Sequence, residues 1–144
     1  MKSEKYTSPQ MIIEIISALA AFVYLGLQIY YGIVYSVGAM RIIMNVLILM
    51  LVYAGLTMLF LYPERVNGLN PSVCTGKIRR YTMRMVQLIK FIFVLSLLFT
   101  SICDALGYSI DAGYSVIAMG AIALTAIVYE AKIIREVKKS NRKE

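Results

Sequence analysis

The sequence has no histidine and no tryptophan, and only two cysteines and three prolines in 144 residues. Without histidine, the side chain most often used as a general base is missing, as is the commonest metal-binding imidazole. Cys74 and Cys103 do not form a C-x-x-C pair. A zinc site needs three or four Cys, His, Asp or Glu ligands close together, and no such cluster is readable. The chain is therefore expected to hold no metal and no cofactor, and no nucleophile–base pair points to an enzyme. Thr75-Gly76-Lys77 hints at a phosphate loop but fails its pattern: Pro71 stands where a glycine is required, and Ile78 replaces the Ser or Thr after the lysine.

Acidic residues are scarce too, eight against fifteen Lys and Arg, for a net charge of +7. Such a balance can serve nucleic acid. Here the charges border long apolar runs, so anionic lipid headgroups are the expected partner and nucleic acid is not.

What the chain has in quantity is apolar surface. Hydrophobic residues make up 60% of it and the mean hydropathy is +0.72, against about 45–50% apolar in ordinary soluble domains. A soluble protein this small could not bury that much. About 20 mostly apolar residues make a helix that crosses the bilayer. Four stretches qualify: about Met11 to Ser36, Met40 to Tyr62, Val86 to Leu106, and Gly113 to Glu130. They are expected to be helices, because lipid offers backbone groups no partners and no barrel-type alternation is present. Residues 63–85 form the long loop, residues 131–144 a basic tail, and the length permits one domain.

Local signals mark the boundaries. Ser8-Pro9 opens the first helix. Val37-Gly38-Ala39 turns between spans one and two, Pro63 ends span two, and Gly107 and Gly113 bracket the turn between spans three and four. Ala18-Leu19-Ala20 fits a signal-peptidase pattern, but the run before it is short and carries Glu14. The apolar stretch then continues to Tyr35, so the sequence predicts a retained span.

Charge supplies a direction. Of the fifteen Lys and Arg, all but Arg41 fall before span one, in or just after the 63–85 loop, or after span four. The positive-inside rule then predicts an all-α integral membrane protein whose four transmembrane helices form an antiparallel up-down bundle, with both termini cytoplasmic, in a bacterial-type plasma membrane.

Alternating steps of three and four along span one pick out Glu14, Ser17, Ala21, Tyr24, Gln28, Tyr31, Tyr35 and Gly38 on one face. That is the spacing of a packed seam, and it gathers nearly all the polar and small residues of the span. Its first reading is helix packing; its second is a polar path for a solute or ion. Glu14 divides similarly, between an anion near a helix N-terminus and a functional carboxylate within the span. Four spans with an early glutamate give a superficial likeness to the small multidrug resistance transporters. The missing tryptophan, the longer loop between spans two and three, and the lack of any shared motif beyond Glu14 separate the chain from that family.

Arg41, Asp104 and Asp111 lie near the outer ends of their spans, and an ion pair from Arg41 to one aspartate would join the two hairpins. Lys77, Arg79, Arg80 and Arg84 read as a basic collar on anionic lipid. Asn45, Ser96, Thr100 and Cys103 read as packing groups. From Thr75 a helix is expected to resume and feed span three. The tail from Lys132 should extend span four, with Ser140 to Glu144 disordered.

Two functional expectations follow. One is a non-enzymatic accessory or immunity-like protein that binds another membrane protein. The other is a small transporter or channel, working as a homo-oligomer through the polar seam.

Overall fold

A computed structural model describes residues 8–143; Lys2 and Lys5 of the charge pattern, and Glu144 of the tail, lie outside them. The described residues contain no strand. They form α1 (Ser8–Val34), α2 (Ala39–Leu61), α3 (Gly76–Ala105) and α4 (Ala112–Asn141), with a short 3-10 turn at Pro63–Arg65. All four α-helices are long and apolar enough to cross a membrane. At 1.5 Å per residue, the 27 residues of α1 reach about 40 Å.

The ends follow from local chemistry. Pro63 cannot continue α2, which stops at Leu61. Gly107 closes α3 in the left-handed region at φ 77°. Its N–H donates to the Asp104 carbonyl at 3.2 Å, and the Tyr108 N–H donates to the Cys103 carbonyl at 2.9 Å. That paired closure suits a residue without Cβ. α3 does resume at Gly76, well before the apolar stretch begins.

α3 is the centre of the packing. It touches α1, α2 and α4, while α4 packs on α3 alone among the helices. Near Glu130, α4 does not end. Ile133 inserts beside Ile78 and Cys74, with Leu69, Val73 and Val137 around them. Lys132 lies over the rings of Tyr81 and Tyr129, at 5.9 and 5.1 Å. The helix then runs through Ser140 to Asn141, where disorder was expected. Docking of Ile133 and Val137 and the cations Lys138 and Lys139 in the last turn hold this end.

Between α1 and α2 the approach is close at one place. A Cβ on Gly32 would stand 2.9 Å from Ile42 Cδ1, the mobile end of a side chain that can turn aside. Elsewhere large apolar side chains cover the outside: Ile12, Leu19, Phe22 and Ile33 on α1, and Val116, Ile117, Met119 and Leu124 on α4, are all exposed. Against water such a surface would be untenable; against hydrocarbon it is the expected one.

Candidate functional site

Between α1, α2 and α3 the interior is stacked in three layers. The first is charged. The Lys90 ammonium donates to Glu14 Oε1 and reaches Thr57 Oγ1 at 3.5 Å. It also lies 4.7 Å from the centre of the Tyr53 ring. Gln87 Nε2 donates to Glu14 Oε2 at 3.3 Å and to the Gln10 carbonyl at 2.8 Å. The burial is unequal: the Lys90 side chain is 1% exposed and that of Glu14 is 31%. A charge so enclosed is tolerable only when paired.

The second layer is apolar. Ala20 and Tyr24 of α1, Leu49 of α2 and Val94 of α3 close on one another, flanked by Leu25, Phe93 and Leu98. Its members are 0–5% exposed.

The third layer is polar again and opens into space. Asn45 Nδ2 donates to Gln28 Oε1 at 3.1 Å, and Gln28 Nε2 donates to Ser101 Oγ at 3.4 Å. The Tyr31 hydroxyl donates to the Ser101 carbonyl. One amide thus ties three helices together. Above it lies a cavity of about 600 Å³. Tyr24, Gln28, Asn45, Leu97 and Ser101 line its depth, and Tyr31, Tyr35, Val37, Arg41, Thr100, Asp104, Ala105 and Gly107 complete its wall. The rings of Tyr30, Tyr31 and Tyr35 lie 6.0–6.2 Å apart at this end.

The seam of α1 is therefore divided. Ser17 is buried and its hydroxyl donates to the Ile13 carbonyl at 2.8 Å. Tyr24, Gln28, Tyr31 and Tyr35 reach the cavity. Glu14 does not; it belongs to the charged layer. Ala21 packs beside the apolar layer, and Gly38 lies past the end of α1, exposed.

The expected ion pair between the hairpins is absent. Among the described residues the ion pairs are Glu14–Lys90, Glu64–Arg79 and Glu136–Lys139. Arg41 stands on the first turn of α2 and Asp104 on the last turn of α3, both on the cavity wall and not within 4 Å of each other. Asp111 precedes α4 and accepts the Tyr114 N–H through its carbonyl at 3.0 Å.

The collar separates as well. Arg79 meets Glu64 at 3.6 Å, while Arg80 and Arg84 are exposed. Lys77 joins Lys139, Arg142 and Lys143 around a cleft of about 630 Å³ between the start of α3 and the end of α4. Beside it, burial pushes the Cys74 thiol above its ordinary range; Arg79 pulls it partly back and Glu64 opposes that. A buried, protonated thiol is a poor nucleophile.

Sequence reasoning missed Lys90, Gln87 and Ser101. Lys90 had a signal: it sits inside the third apolar stretch, where an ionisable residue is a functional candidate by default. Asn45 and Thr100 read as packing groups; Asn45 bonds Gln28, and both line the cavity. Comparison of the chain with protein-family models, curated proteins and solved structures finds no match.

Proposed function

We propose that this chain is a non-enzymatic multi-pass protein of a bacterial-type plasma membrane that binds a small polar solute from the outer face. In this reading the helices form an antiparallel bundle with both termini cytoplasmic. The charge distribution supports that orientation, because Arg41 alone among the described Lys and Arg lies at the end holding the cavity. An impermeant maleimide tests it. With Cys74 and Cys103 replaced by serine, Tyr108→Cys is expected to label on intact cells, and Ser140→Cys only after permeabilisation. The reverse pattern would overturn the orientation.

The observation that carries the function is the cavity. A volume of about 600 Å³ lies in the range of small-molecule sites. Its floor is made of amide and hydroxyl groups on helices that otherwise face hydrocarbon, where polar groups are costly and tend to be functional. One chain supplies its whole lining, so a second copy is not needed to build it. The apolar layer of Ala20, Leu49 and Val94 blocks the way from the cavity to the charged layer. That favours a binding or carrier step over an open channel, and it favours a solute reading over an accessory protein whose seam is only glue.

The test is binding in mild detergent. Mass spectrometry of the purified protein and a thermal-shift screen of amino acids, short peptides, sugars, nucleosides and polyamines should find at least one stabilising solute. At a hundredfold excess over Kd, stabilisation of about 2.7 kcal/mol is expected. A protein that carries no solute and responds to none would sink the reading.

A further inference from the structure

The cavity bears one cationic and one anionic side chain, and they do not neutralise each other. Arg41 enters from the start of α2, Asp104 from the end of α3, and no ion pair joins them. The amide of Gln28 lies deeper, with both its oxygen and its nitrogen engaged across the helices. The tyrosines Tyr24, Tyr31 and Tyr35 line the α1 side.

We propose that the solute is a zwitterion of amino-acid to dipeptide size, its carboxylate on Arg41 and its ammonium on Asp104. This rests on the reading of the cavity as a solute site. A guanidinium is a planar fork that matches a carboxylate with two hydrogen bonds. An ammonium gains from a carboxylate and also from aromatic faces, which the tyrosine wall supplies. A ligand with a single charge would engage only one of Arg41 and Asp104, both of which are exposed on the cavity wall. A zwitterion satisfies both at once. The volume, about 600 Å³, equals roughly twenty waters at about 30 Å³ each. It therefore admits a dipeptide with several waters kept.

The experiment compares four forms of one probe on the full chain in detergent at neutral pH, by calorimetry or thermal shift. They are alanylalanine, its N-acetyl derivative, its C-terminal amide and the doubly blocked neutral form. The free dipeptide should bind at least about tenfold more tightly than either singly charged form, the equivalent of one charge-assisted contact. Arg41→Gln should abolish discrimination against the C-terminal amide. Asp104→Asn should abolish discrimination against the N-acetyl form. Both side chains are exposed and outside any ion pair, so each variant should melt like the parent without ligand. Equal binding of the blocked and free forms would overturn the proposal. Should sugars or nucleosides bind through Gln28 while no dipeptide form does, the cavity remains a solute site and the zwitterion assignment is wrong. Binding of nothing at all would remove both readings.

Discussion

Replacing Glu14 by alanine is expected to destabilise the protein by about 3–5 kcal/mol, the usual cost of orphaning a buried charge. The orphan would be Lys90, whose side chain is 1% exposed. Its remaining neighbours cannot compensate it. Thr57 Oγ1 is at the 3.5 Å limit, and the Tyr53 ring offers only the attraction of its face. The reciprocal change should be milder. Lys90→Met leaves Glu14 without its cation, but Glu14 is 31% exposed and Gln87 still donates to it. It is neither fully enclosed nor stripped of donors, and a loss of about 1–3 kcal/mol is expected.

Removing both charges completes the argument. A Glu14→Leu, Lys90→Met double variant should lie within about 1 kcal/mol of the parent, since apolar groups of similar volume often replace a buried ion pair at no loss. With no tryptophan to follow, unfolding can be read by circular dichroism, or by the exposure of Cys74, which is buried in the folded chain. Equal losses for the two single variants would show that burial is not what decides the cost. A double variant as unstable as Glu14→Ala would show that the two side chains do not act as a pair.

The four apolar stretches were legible because length and hydropathy alone define them. The seam of α1 was legible for a related reason. A helix that must hide its polar groups from lipid sorts them by the three-and-four step, and Ser17, Tyr24 and Gln28 are all buried. Tyr35 keeps the step, its N–H still bonded to the Tyr31 carbonyl at 3.1 Å, and it reaches the cavity. Gly38 fitted the same step but lies past the end of α1, where helical periodicity no longer applies. α3 was harder to read. Ser96, Thr100 and Cys103 were read as packing groups, yet the side chain that meets Gln28 is Ser101, one residue beyond Thr100 and about 100° around the helix. Lys90 was counted as a charge that orients the chain. A lysine at the headgroups and a lysine buried against a carboxylate on another helix look alike in one dimension. Glu14 and Lys90 are 76 positions apart, and only the fold brings them together. The tail extends span four as expected, with the helix reaching Asn141 rather than giving way at Ser140. Its docking to the loop through Ile133 and Val137 was not legible, because its composition resembles a solvated end.

Gln28→Leu separates glue from site, the choice that the seam posed from the start. The change keeps a similar volume and removes two hydrogen bonds, one to Asn45 at 3.1 Å and one to Ser101 at 3.4 Å. Hydrogen bonds between helices in a membrane are worth about 0.6 kcal/mol each on average, because the unfolded helices also find partners in lipid. Stability should therefore fall by only about 1 kcal/mol. Binding should suffer far more. The amide stands at the floor of the cavity, and its loss leaves Asn45 and Ser101 without the group that aligned them. A solute that used that polar floor would face an apolar side chain with no hydrogen bond to offer, at a cost of about 1–3 kcal/mol for each of its own groups left unpaired. The expected signature is a variant that melts close to the parent and loses solute affinity by at least about tenfold. Asn45→Leu should behave in the same way and more weakly, since it leaves the bond from Gln28 to Ser101 intact. A drop in stability of several kcal/mol with solute affinity unchanged would reverse the assignment. The amide would then be holding three helices together, and the cavity above it would be a by-product of their packing.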